Sequence, residues 1–120
     1  PEFTQIDIEM SFAEEEDMKY LIQGIKDGYI DMIGTDHAPH TQEDKENGAP
    51  GISNIEVAFQ MVNKVFSENQ ISLNKLSEMM SANPAKLLGL NQGLIEEGLR
   101  ADLVLIDENC ENVIDTSNFI

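Results

Sequence analysis

Asp36, His37 and His40 fall within the run Gly34-Thr35-Asp36-His37-Ala38-Pro39-His40-Thr41. One carboxylate and two imidazoles so close together are groups that hold metal ions and move protons. Their chemistry depends on what places them, and the preceding residues supply an element. Tyr29-Ile30-Asp31-Met32-Ile33-Gly34-Thr35 is apolar, β-rich and too short for a helix, so it predicts a buried strand of about five to seven residues.

A helix is expected before that strand. Ser11-Phe12-Ala13-Glu14 matches a capping box, and Met18, Leu21, Ile22 and Ile25 recur at i, i+3, i+4 and i+7 as one apolar stripe. Gly28 suits a left-handed C-terminal cap, and the strand follows at once, as in βα repeats. Asp36 then stands at the carboxyl end of a parallel strand, where α/β barrels carry their catalytic side chains.

The loop from Thr41 to Ile52 holds Gly48, Pro50 and Gly51 among charged residues and predicts an exposed, mobile lid. Within it Glu43, Asp44, Lys45 and Glu46 read as solvated charge. Ser53-Asn54-Ile55-Glu56 is a second capping box, opening a helix with Ile55, Phe59, Val62 and Phe66 on one face. Ser72 is expected to cap a helix with Leu73, Leu76, Met79 and Met80 inward, and Asn83 another with Pro84 at its first position. From Gly93 the pattern changes to turns and short strands. Leu103 to Ile106, apolar on consecutive residues, predicts a strand buried on both faces.

Asp36-His37-Ala38-Pro39-His40-Thr41 resembles the signature of dihydroorotases in the amidohydrolase superfamily. Other matching pieces follow in the family's order: Gly48-Ala49-Pro50-Gly51-Ile52, Glu56, Asn83-Pro84-Ala85-Lys86, Gly93-Leu94-Ile95 and Ala101-Asp102-Leu103-Val104. The later pieces are common to many cyclic amidohydrolases, whereas Asp-His-Ala-Pro-His favours dihydroorotase. The resemblance implies an α/β fold, the carboxyl-terminal part of a TIM-type (β/α)8 barrel. Residues 4–90 would supply the last βα units and residues 91–120 part of the flanking small β-sandwich.

By the same resemblance Asp36 is the catalytic aspartate that meets the metal and shuttles a proton. His40 binds the substrate carboxylate, and Pro50 and Gly51 contact the dihydropyrimidine ring through their backbone. The implied reaction interconverts N-carbamoyl-L-aspartate and L-dihydroorotate in pyrimidine biosynthesis, with one or two zinc ions. Such a metal polarises a carbonyl and acidifies bound water while the carboxylate exchanges a proton with the ring nitrogen. His37 has two readings: a site residue, or a structural one that holds the loop through hydrogen bonds from its imidazole.

A barrel of this type needs about 250 residues, and the chain has 120, with two histidines. The His-x-His pair, modified lysine and two further histidines of the family's metal site have no counterpart here, so the isolated chain is expected to be inactive. Many family members carry Asn-Pro-Pro-Leu-Arg where this chain has Glu9-Met10-Ser11-Phe12-Ala13. Glu9 would repel an anionic substrate. This keeps open a noncatalytic dihydroorotase-like subunit that supports aspartate carbamoyltransferase; a dihydropyrimidinase or allantoinase is the other alternative. An open barrel edge and a half-sandwich also predict that the isolated chain either self-associates or is only partly ordered. Pro1-Glu2-Phe3 reads as an expression-vector scar.

Twenty-three acidic and seven basic residues give a net charge of −16, a field that repels nucleic acid and anionic membranes. The chain is nonetheless 41% hydrophobic with helical periodicity, so disorder is not implied. A single cysteine allows no internal disulfide, and no stretch approaches the roughly 20 apolar residues of a membrane span. Cytoplasm is the expected compartment.

Overall fold

Glu15, Glu16 and Asp17 open the first helix and Lys26 closes it, each charge opposing the nearer end of the helix dipole. This helix, α1, spans Glu15–Lys26 in a computed structural model that describes residues 15–111 and 113. Ile22 and Ile25 are its buried residues, while Met18 and Leu21, on the same stripe, remain 46% and 41% exposed. Gly28 adopts φ +79° and its N–H donates to Ile25, while Tyr29 N–H donates to Gly24. That bond pair is a Schellman cap, which satisfies the last carbonyls as the sequence predicts. The Ser11-to-Glu14 capping box, Glu9, Ala13 and the first three residues lie outside the described residues.

The chain divides into two compact units, residues 1–30 and residues 31–120. The second contains α2 (Gln42–Glu46), α3 (Ile55–Glu68), α4 (Leu73–Ser77), a π-helical turn (Glu78–Ala82) and α5 (Asn83–Leu88). α3 packs on α4, α4 on the π turn, and the π turn on α5. Phe66, Leu76, Met79 and Ala85 are buried there, Met79 completely. Phe66 comes from the predicted apolar face of α3, and Leu76 and Met79 from the predicted inward set. Ile55, by contrast, is 58% exposed.

Ser72 caps α4 as expected, its side chain accepting from Lys75 N–H at 3.2 Å. Asn83 does not cap α5. The helix runs on from α4 without a break, and Asn83 N–H donates to Glu78, five residues back. The widening has a cause in Pro84, which has no N–H for the Met80 carbonyl and whose ring crowds it. The Asn83 side chain instead donates to the Asp31 carbonyl at 2.8 Å. α5 ends at Gly89 (φ +66°) in a second Schellman arrangement, with Leu90 N–H on Ala85. Gly93 then lies against α5, where a Cβ would stand 2.8 Å from the Ala85 methyl. The Asn-Pro-Ala-Lys and Gly-x-Ile pieces are therefore packed on each other.

The predicted strands do not form ladders. Residues 29–36 are irregular, and among the described residues the one pairing is an isolated parallel bridge between His37 and Ile52. A strand is defined by its neighbour's hydrogen bonds, and no neighbouring strand is present among these residues. The run is held instead by helices, with Ile33 N–H donating to Met79 at 3.2 Å and Asn83 bonded to Asp31. Leu103 to Ile106, predicted to be buried on both faces, is exposed, with Leu105 entirely so. The strands of the α/β expectation are thus not formed among the described residues, whose regular elements are helical.

Candidate functional site

Asp36 turns the chain. Its φ of +46° makes it one of two non-glycine residues with positive φ among those described, the other being Gln70. Asp tolerates the left-handed region better than most side chains, at a cost of roughly 1–2 kcal/mol, so the neighbours must enforce it. The His37 N–H donates to Thr35 Oγ1 at 3.4 Å, directly across the turn. Ala38 N–H donates to the Ile52 carbonyl at 3.1 Å.

Asn54 and Ile55 approach the same turn from α3. Asn54 Nδ2 donates to the Thr35 carbonyl at 2.7 Å. The backbone N–H groups of Asn54 and Ile55 donate to His37 Nδ1 at 3.0 and 3.2 Å. Ser53 does not open α3 as a capping box. Asn54 occupies the cap position, its own side chain makes no cap bond, and the His37 imidazole takes that place from seventeen residues away. Asn54 Oδ1 is buried with no hydrogen-bond partner.

The loop after His40 is built rather than slack. Thr41 caps α2 through Asp44 N–H at 3.2 Å, and Asp44 Oδ2 accepts from Thr41 N–H at 3.1 Å and Thr41 Oγ1 at 2.6 Å. The hydrogen bond from the Thr41 hydroxyl, then that from its N–H, holds the Asp44 carboxyl below the usual carboxylate value, with His40 adding a smaller charge contribution. Lys45 Nζ donates to the Ala49 carbonyl at 3.4 Å and to the Gly51 carbonyl. Asp44 and Lys45, expected to be solvated charge, are the clasp of this loop. Thr41-x-x-Asp44 at capping-box spacing was the available signal; nothing in the sequence pointed to Lys45.

Gly51 lies against both parts of the motif. A Cβ on it would stand 2.6 Å from the Ala38 methyl, 2.9 Å from the Ala38 carbonyl and 3.5 Å from His40 Cδ2. Gly51 and His40 are thus neighbours, with exposed Pro50 next to Gly51 in the chain and Asp36 exposed at the far end of the same turn. Asp36 offers one carboxylate, and no three His, Cys, Asp or Glu residues come together as a metal site among the described residues. No described helix is long and apolar enough to cross a membrane.

Comparison with known proteins matches residues 11–119 to the amidohydrolase family. The chain is 50% identical over 108 residues to a dihydroorotase of Clostridium botulinum (strain Eklund 17B / Type B), covering 89% of this chain and 27% of that protein. A dihydroorotase of Brevibacillus brevis is 46% identical over 109 residues (87% of this chain, 26% of that protein). One of Thermoanaerobacter sp. (strain X514) is 45% identical over 109 residues (87% and 25%). The chain spans about a quarter of the length of these curated relatives. Homologous to dihydroorotases over most of its own length, it belongs to the amidohydrolase family.

Proposed function

We propose that this segment is the carboxyl-terminal part of a zinc-dependent, (β/α)8-barrel dihydroorotase acting in the cytoplasm on N-carbamoyl-L-aspartate and L-dihydroorotate. Asp36 exchanges the proton with the ring nitrogen, the His40 imidazole binds the substrate carboxylate, and the backbone of Pro50 and Gly51 faces the ring. The observation that carries the reading is the contact between Gly51 and the Ala38–His40 stretch. It brings together two segments eleven or more residues apart, both assigned to substrate in this reading.

The metal belongs to the whole protein in this reading. The described residues do not make a metal site, and Asp36 supplies one exposed carboxylate towards it. In this reading the isolated segment is inactive. Its own residues bind and orient: a carboxylate at a strained turn, an imidazole four residues further along the chain, and a glycine backbone free of side-chain bulk.

Replacing Asp36 by Ala in the full-length protein tests the reading. Loss of a proton-transfer group lowers turnover by about 10²-fold or more, and an unchanged rate would eliminate the catalytic assignment. A full-length protein inactive before any substitution would favour the second reading, a noncatalytic subunit beside aspartate carbamoyltransferase, which Glu9 and Ala13 support.

A further inference from the structure

His37 is not assigned to substrate or metal, yet it makes the only side-chain bonds described between the Asp36 turn and the backbone N–H groups that open α3. A helix begins with N–H groups that have no partner inside it, and a side-chain acceptor normally comes from the residue at its cap. In α3 that residue, Asn54, turns its amide away to Thr35, and Nδ1 of His37 receives two N–H bonds instead. Two donors on one ring nitrogen require its lone pair, so the ring proton resides on Nε2.

The consequence reaches Asp36. The backbone bonds of His37 and Ala38 fasten one side of the turn to Thr35 and Ile52, and the ring fastens it to α3. Asp36, held at φ +46°, is the residue directly before this double anchorage. Without the ring, the turn keeps its backbone bonds and the Asn54–Thr35 bond, but loses both bonds that tie the residue after Asp36 to the N–H groups opening α3, and a left-handed aspartate relaxes toward ordinary φ.

We propose that His37 is a positioning residue of the reaction, its Nδ1 capping α3 and thereby fixing the carboxylate of Asp36. This rests on the reading of Asp36 as the proton shuttle. A displacement of about 1 Å at such a group costs up to about 10²-fold in rate. Because the substrate contacts assigned to His40 and Gly51 have their own anchor in α2, the loss falls on kcat more than on KM.

The test compares His37→Ala, His37→Asn and Asp36→Ala in the full-length protein. Asn places its Oδ1 near the position of Nδ1 and keeps the acceptor. The expected result is a kcat reduced about 10- to 100-fold in His37→Ala with KM changed less than about threefold, and largely restored in His37→Asn. Nitrogen-15 NMR of the ring should show Nδ1 bare and Nε2 protonated. An unchanged kcat in His37→Ala, a folded His37→Asn as slow as a folded His37→Ala, or a ring protonated at Nδ1 overturns the proposal. If His37→Ala does not fold, the His37→Asn rate and the ring spectrum decide. Full activity of Asp36→Ala would instead overturn the reading on which it rests, whatever His37 does.

Discussion

Gly51 meets Ala38 so closely that a methyl group on Gly51 would stand 2.6 Å from the Ala38 side chain and 2.9 Å from its carbonyl. The backbone of Gly51 also has φ +120°, which L side chains rarely adopt. Space and conformation exclude a side chain for separate reasons, so relief of one does not remove the other.

Gly51→Ala should therefore destabilise the pairing of the two loops by about 2 kcal/mol, the scale of a strained backbone position combined with overpacking. Ala38→Gly in the same protein removes the methyl contact and should recover part of the loss, leaving the conformational share and the contact with the residue-38 carbonyl. Thermal unfolding of the single and double variants measures both. A Gly51→Ala protein as stable as its parent would refute the close contact.

Lys45 is a clasp on the other side of Gly51. Lys45→Met keeps the aliphatic stem and removes the ammonium that bonds the Ala49 and Gly51 carbonyls. The group is exposed, so its effect on global stability should be small, about 1 kcal/mol or less. The local effect should be larger. Proteolysis between Glu46 and Ile52 should accelerate severalfold, and KM should rise with little change in kcat. Equal cleavage rates in the two proteins would return Lys45 to ordinary surface charge.

Asp44 gives α2 an acid limit. Its carboxyl is held below the usual value of 3.8 by the Thr41 hydroxyl and N–H. A depressed folded-state value means the stabilisation is complete above the unfolded value and disappears as pH falls through the folded one. The carbon-13 shifts of Gln42 to Glu46 should thus stay helical from neutral pH down to about pH 4 and lose helicity below it. Asp44→Asn should abolish that acid dependence. Helical shifts that persist unchanged well below this range would contradict the assignment.

Much of this was legible in the residues because local chemistry decided it. Gly28 and Gly89 end helices through left-handed caps, and Ser72 begins one with its own hydroxyl. Resemblance alone joined the Asp36-to-Thr41 run to Gly51, and the two stretches do lie against each other. What could not be read depends on partners distant in sequence. Asn83 looked like a cap because Asn-Pro often opens a helix, but here its amide serves Asp31, fifty-two residues away. His37 supplies the cap acceptor that the side chain of Asn54, at the cap position, does not, a substitution invisible to any pattern along the chain. Tyr29 to Thr35 and Leu103 to Ile106 have strand composition, yet composition cannot supply a neighbouring strand.

Leu103, Val104, Leu105 and Ile106 are 66%, 79%, 101% and 40% exposed, and Ile95 is 92% exposed. Consecutive apolar residues with both faces in water, whose backbone groups make no hydrogen bond among the described residues, are a template for pairing with another chain. The net charge of −16 opposes close approach of two copies, but this repulsion is screened over about 8 Å at physiological salt, whereas apolar burial is not. The isolated 120-residue chain should therefore self-associate, and more strongly as salt is raised. Sedimentation at low and at physiological ionic strength measures this, and Leu105→Lys should weaken it by placing charge at the most exposed position. A compact monomer at both salt concentrations, unfolding in a single two-state transition, would show that these residues do not drive association.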